Sequence, residues 1–123
     1  MKSRKLTFII EKTRTGFSAY EESSAIFTTG KSISLLLTNI EEALALHFEN
    51  DPHFRPEFEL KFEHFFLHYG ILNGKLLAER IGMNASLLSQ YIRGTKAMSR
   101  DQLVRIENGV RQIGKELAGF KFN

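Results

Sequence analysis

Apolar residues recur every second position in some stretches of this chain and every third or fourth in others, and each change of period predicts an element. Residues 6–11 (LTFIIE) are β-branched and aromatic and predict a strand. Residues 12–16 (KTRTG) predict a turn, with Gly16 free to take a positive φ. At residues 17–20 Phe, Ser, Ala and Tyr alternate, which predicts a second strand hairpin-paired to the first. Residues 25–29 predict a third strand, broken by Gly30. Ser32 can cap a helix in which Ile33, Leu36, Leu37, Ile40, Ala43, Leu44 and His47 share one face. That pattern stops near Asn50, and residues 50–57 (NDPHFRPE) hold both prolines, so the domain boundary is expected there. Period two returns at Phe58, Leu60 and Phe62, a short strand, followed by a helical turn or two over residues 64–69 closed by Gly70. Phe120-Lys121-Phe122 also alternates and is a candidate to pair with residues 58–62.

The chain between these points reads as helices with short breaks. Residues 75–81 (KLLAERI) predict a short helix that Asn73 can cap, and Gly82-Met83-Asn84 a tight turn, with Gly82 suited to the left-handed conformation that ends a helix. Asn84 caps a second helix over residues 85–93 (ASLLSQYIR), which stops at Gly94. Leu77, Ala78 and Ile81 are expected to face inward from the first, and Leu87, Leu88, Tyr91 and Ile92 from the second. Ser99 and Gln102 form a capping box for a last helix reaching about residue 117. Its stripe of Leu103, Ile106, Val110, Ile113 and Leu117 either packs beneath the two short helices or forms a dimer seam. The expected fold class is therefore α+β: a small three-strand sheet with one helix over residues 1–50, then an all-helical helix-turn-helix unit over residues 58–123.

Charge separates the two halves. Residues 1–50 carry six basic and six acidic side chains, residues 51–70 two and four, and residues 71–123 nine and four, so the positive excess lies in the C-terminal part. That is the footprint of a module that meets phosphate. Two short helices joined by a three-residue turn have the geometry that places the second in a major groove. Ala85, Ser86, Ser89 and Gln90 then face base edges, and a Gln can bond adenine N6 and N7 together. Asn73, Lys75, Arg93, Lys96 and Arg100 are the expected phosphate contacts. Double-stranded DNA is the expected partner, read by a homodimer or higher homo-oligomer because such proteins read paired half-sites. A module whose helix pair serves only protein interaction is the rival reading.

Other chemistries find little footing. The chain has no cysteine, which removes thiol catalysis, disulfides and Cys-type zinc sites. No apolar run has the length of a membrane span or a secretory leader, so a cytoplasmic location is expected. Residues 25–32 (AIFTTGKS) fit a relaxed phosphate-loop pattern, but their β-prone stretch lacks the glycines of a phosphate cradle, and Ser32 is accounted for as a cap. His64 and His68 stand four apart with no third ligand and are read as packing among Phe62, Phe65 and Tyr69. Residues 1–50 contain no Asp, so two-metal hydrolysis is not expected. No enzymatic activity and no cofactor are expected.

Two resemblances add to this. Leu77-Ala78-Glu79-Arg80-Ile81-Gly82, with Leu88-Ser89-Gln90-Tyr91 and Gly94, resembles the phage-repressor-like (XRE) helix-turn-helix family over about residues 71–100. Residues 6–12, Gly16-Phe17, Thr29-Gly30-Lys31-Ser32 and Asn39-Ile40-Glu41-Glu42-Ala43 together resemble the HicB antitoxins over about residues 4–50. The second resemblance implies a reduced RNase H-like fold without its activity, which masks a small mRNA-cleaving HicA-like toxin while the C-terminal domain represses the operon. Glu21-Glu22-Ser23-Ser24 replaces the Pro-rich loop that many relatives carry after the second strand. Glu21 and Glu22 are the candidate contacts for a basic toxin, the alternative being that both are simply solvated.

Overall fold

Leu6, Phe8 and Ile10 alternate with Thr7 and Ile9, and the structure, a computed structural model describing residues 3–69 and 73–123, turns that alternation into the central strand of a sheet. Strand β1 (Arg4–Lys12) runs antiparallel to β2 (Phe17–Glu21), which runs antiparallel to β3 (Ile26–Gly30). Helix α1 (Ile33–His47) then crosses over and returns the chain as β4 (Phe54–Leu60), parallel to β1, giving a mixed sheet of order β3-β2-β1-β4. Leu6, Phe8, Ile10, Phe17, Ala19 and Ile26 point to one face and pack against Leu36, Ile40 and Leu44 of α1. Burial of each large side chain contributes roughly 1.5–3 kcal/mol. Ser32 caps α1 by accepting from the Leu35 N–H at 3.1 Å, and Asn39 donates to the Thr29 carbonyl at 2.8 Å, so α1 is tied to β3 by a polar bond as well as by its apolar face.

Several expectations for this unit change. The sheet has four strands, not three. The expected boundary at residues 50–57 falls inside the first of two compact units, Met1–His68 and Tyr69–Asn123. Residues 54–60 pair along β1, with Leu6 opposite Pro56 and Phe8 opposite Phe58. Pro56 breaks nothing there. The Arg4 N–H bonds the His53 carbonyl and the Lys61 N–H bonds the Ile10 carbonyl. Odd-numbered residues of β4 therefore turn their amides to β1, and Pro56, on the outer edge, has no ladder bond to lose. Phe62 does not extend the strand; it opens α2 (Phe62–His68), whose helical residues thus belong to the first unit. Residues 119–123 have no regular structure, so Phe120 and Phe122 pair with no strand. Gly16 does not adopt a positive φ; its lack of a side chain is used instead for close approach, since a Cβ would lie 2.4 Å from the Gly30 carbonyl oxygen. The expected helix stop at Gly70 lies outside the described residues.

His64 and His68 part company in the structure. His64 Nδ1 accepts from the Lys12 N–H at 3.0 Å, joining α2 to the end of β1. His68 packs edge-on against Phe17 at 4.8 Å between ring centroids. Phe62 and Phe65, expected beside the two histidines, are both set edgewise against Phe66.

The second unit contains α3 (Gly74–Ile81), α4 (Ala85–Ile92) and α5 (Arg100–Ala118). Among its described residues the buried ones are Leu77 and Ala78 from α3, Met83 from the turn, Leu88 and Tyr91 from α4, and Ile106 and Gly109 from α5. Gly109 lets α5 lie close to α3, because a Cβ there would stand 2.4 Å from Ile81 Cγ2. The α5 stripe divides accordingly. Ile106 is buried within the unit and Leu103, Val110 and Ile113 are half-buried, while Leu117 remains 63% exposed. Among the described residues, no helix is long and apolar enough to cross a membrane.

Candidate nucleic-acid interface

The α3–turn–α4 segment is built from signals within a few residues of one another. The Asn73 carboxamide oxygen accepts from the N–H groups of Lys75 (2.9 Å) and Leu76 (3.2 Å), so this predicted phosphate contact first serves as the α3 cap. Gly82 ends α3 at φ 71°, a conformation that strains any residue with a Cβ. The Met83 N–H then closes on the Ala78 carbonyl at 2.8 Å, and the Met83 side chain turns inward. Asn84 caps α4 through the Leu87 N–H at 3.1 Å. Arg93 occupies the C-terminal cap position, and Gly94 follows with φ 72°.

Two faces of α4 result. Leu88 and Tyr91 are buried, and Leu87 and Ile92 are half-buried beside them. Ser86 is exposed on the opposite side, with Ala85, Ser89 and Gln90 half-buried around it. These four positions fall within an arc of about 140° at 3.6 residues per turn. No hydrogen bond engages the side chains of Ser86, Ser89 or Gln90 among the described residues; the Gln90 main-chain carbonyl, by contrast, takes both the N–H and the hydroxyl of Thr95.

The cations of this unit sort by role. Arg80 pairs with Glu116, linking α3 to α5. Arg111 pairs with Glu107 one turn away on α5. Arg105 donates from Nη2 to the carbonyls of Ile81 (2.8 Å) and Gly82 (2.7 Å), capping the C-terminus of α3 from another helix. Lys75, Arg93, Lys96 and Arg100 are all exposed and enter no ion pair among the described residues. Apart from Asn73, which caps α3, the side chains spent on structure are thus distinct from those expected at phosphate. Arg105 and Met83 were not foreseen as structural parts. Arg105 gives no local sign of its role, whereas an apolar residue directly after the turn glycine was a usable hint for Met83.

The two carboxylates expected to meet a toxin behave differently from each other. Glu22 is exposed. Glu21 is only 6% exposed, the one buried charged residue among those described. Its Oε1 accepts from the Ser23 N–H (3.2 Å) and hydroxyl (2.5 Å), and its Oε2 from the Ser24 N–H (2.6 Å) and hydroxyl. Burial pushes its pKa up, but these hydroxyl and amide donors outweigh burial and hold it down at about 2. Glu21 is therefore the anchor of its own turn and not a free contact. Glu11, the third acid beside the strands, is paired with Lys61 at 2.8 Å, and that hydrogen bond lowers its pKa. Among the described residues no three His, Asp or Glu side chains lie close enough to hold a metal ion together.

No family model matches this chain, and no curated protein or solved structure matches it.

Proposed function

We propose that the chain is a DNA-binding repressor whose α3–turn–α4 segment is a helix-turn-helix with α4 as the reading helix, and whose first unit is a HicB-like antitoxin domain. The observation that carries the DNA reading is the sorting of cations. Arg80, Arg105 and Arg111 are engaged within the unit, while Lys75, Arg93, Lys96 and Arg100, like Lys115 and Lys121 further along, stand exposed and enter no ion pair among the described residues, and the outer face of α4 is small and polar. On DNA those four would neutralise phosphate, and Ser86, Ser89 and Gln90 would meet base edges. The repressor acts as a dimer on half-sites about one helical turn apart.

For the first unit, the support is the order of three strands, Gly30, the Ser32 cap and one helix, which agrees with the antitoxin resemblance. The domain masks a small mRNA-cleaving toxin, carries no catalytic activity or cofactor of its own, and works in the cytoplasm beside that toxin.

The DNA reading is tested by fluorescence anisotropy on fragments from upstream of the gene. Gln90→Ala weakens the specific fragment by about 1–3 kcal/mol and hardly changes random duplex. Equal losses on both would remove Gln90 as a base reader. Arg93→Ala weakens both and reduces the slope of log K against log salt by about one. If the chain binds no duplex at low salt, the helix pair serves protein interaction alone. For the antitoxin reading, co-expression with the adjacent reading frame relieves growth arrest caused by that frame; an adjacent frame without toxicity removes the antitoxin role.

A further inference from the structure

Strand β1 is nine residues long, but β2 pairs with only its last four, Ile9 to Lys12. On its other edge, β4 pairs with Arg4 through Ile10. The Arg4 N–H and Ile10 carbonyl both point to the β4 side, so by strand alternation Leu6 and Phe8 do too. Lys5, Thr7, Ile9 and Glu11 therefore direct their main-chain groups toward β2. Ile9 and Glu11 find partners there, opposite Tyr20 and Ser18. Continued by the same register, Thr7 would meet Glu22 and Lys5 would meet Ser24. Neither pairing forms, because the Glu21 carboxylate gathers Ser23 and Ser24 into a turn and Ala25 follows at φ 57°. The result is a notch in the sheet. An open groove of about 410 Å³ lies there, lined by Arg4, Lys5, Thr7 and Ile9 on one side and by Glu21, Glu22 and Ser23 on the other.

We infer that this notch binds a short extended segment of a partner protein, which adds to β1 in antiparallel sense along Lys5–Thr7. Two N–H groups and two carbonyls at strand spacing are complemented by another strand and by few other ligands. The notch is bounded by the 21–24 turn, so a chain end or exposed loop enters it, whereas the sheet of a second copy does not. The far end of an antiparallel guest lies beside Arg4 and Lys5, which enter no ion pair among the described residues. The guest therefore carries an acidic residue at its C-terminal end. Glu21 shapes the site by holding the 21–24 turn. This inference stands independently of DNA binding and of the identity of any toxin.

The test is residue-resolved amide exchange on the full chain, with the probe peptide Ac-Thr-Val-Thr-Val-Glu-NH2. In the free protein, the Lys5 and Thr7 amides exchange at least about tenfold faster than those of Leu6 and Phe8, which bond β4. Saturating peptide slows Lys5 and Thr7 at least about tenfold. Thr7→Pro removes one notch donor while sparing the β4 ladder, and it abolishes the effect. Arg4→Glu with Lys5→Glu, which leaves the backbone alone, weakens the peptide at least fivefold and restores binding to the version ending in Lys. Lys5 and Thr7 amides already protected in the free chain would overturn the proposal. So would peptide binding that leaves those amides unchanged, or no binding at millimolar peptide.

Discussion

The two units use polar side chains in opposite ways. In Met1–His68, Glu21 binds its own turn, Asn39 ties α1 to β3 and His64 takes a main-chain amide of β1. Polar groups there supply long-range or turn-closing bonds around a core of nine buried apolar residues. Among the described residues of Tyr69–Asn123, the buried apolar members are Leu77, Ala78, Met83, Leu88, Tyr91 and Ile106. Most of its structural polar bonds sit at helix ends: Asn73, Asn84, Ser99 and Arg105. The outer face of α4 is left chemically free. A helical unit that relies on caps and on close packing at Leu88 and Gly109 tolerates little internal change, while polar substitutions on that face cost it little.

The difference can be broken from its strongest point downward. Leu88 is wholly buried, so Leu88→Ala costs about 2–5 kcal/mol, read as lost amide-exchange protection across α3, α4 and α5. Retained protection there would mean that the helical core does not depend on its central leucine. Next in size is Glu21. Its folded pKa of about 2 lies below the ordinary 4.5, so its bonds contribute fully above pH 4.5, and that contribution is lost as pH falls from 4.5 toward 2. Glu21→Gln costs about 2 kcal/mol at pH 7 in urea unfolding, and the gap to the parent closes toward pH 2. A gap that stays constant with pH would show that the carboxylate charge plays no part in holding the turn.

Gly109→Ala forces Ile81 to move and costs about 1–3 kcal/mol, measured as a lower urea midpoint at unchanged slope. Ala25→Gly works the other way. It relieves a residue held at φ 57° and raises stability by about 0.5–1 kcal/mol; a loss instead would mean that the Ala25 methyl makes a contact worth more than the strain. At the bottom of the scale, Gln90→Ala leaves thermal stability within about 0.5 kcal/mol. A larger change would place its side chain in the fold and remove it from the reading surface.

Sequence patterns were most reliable where cause and effect lie within four residues. Ser32, Asn73, Asn84 and Ser99 were all expected to cap helices, and all four accept an N–H from the first turn. Gly82 has the left-handed conformation expected of it. The inward residues of α4 were readable from their spacing, and so was its outward face. Where the pattern misled, a distant partner decided. Residues 54–57, the first half of β4, look like a linker because Pro56 and the charged residues Arg55 and Glu57 suit an edge strand as well as a loop. Only pairing with β1, fifty residues earlier, makes them part of the sheet.

The chain by itself determined the helix caps, the stop at Gly82, the three-strand opening and the split of charge between its halves, because each depends on neighbours within a turn or a hairpin. Tertiary structure decided that the sheet gains β4, that Glu21 is a buried anchor while Glu22 is free, that Arg105 caps α3, and that Gly16 and Gly109 are sites of close approach. Those outcomes depend on which residues meet across long stretches of chain, and residue order alone carries no local trace of such meetings.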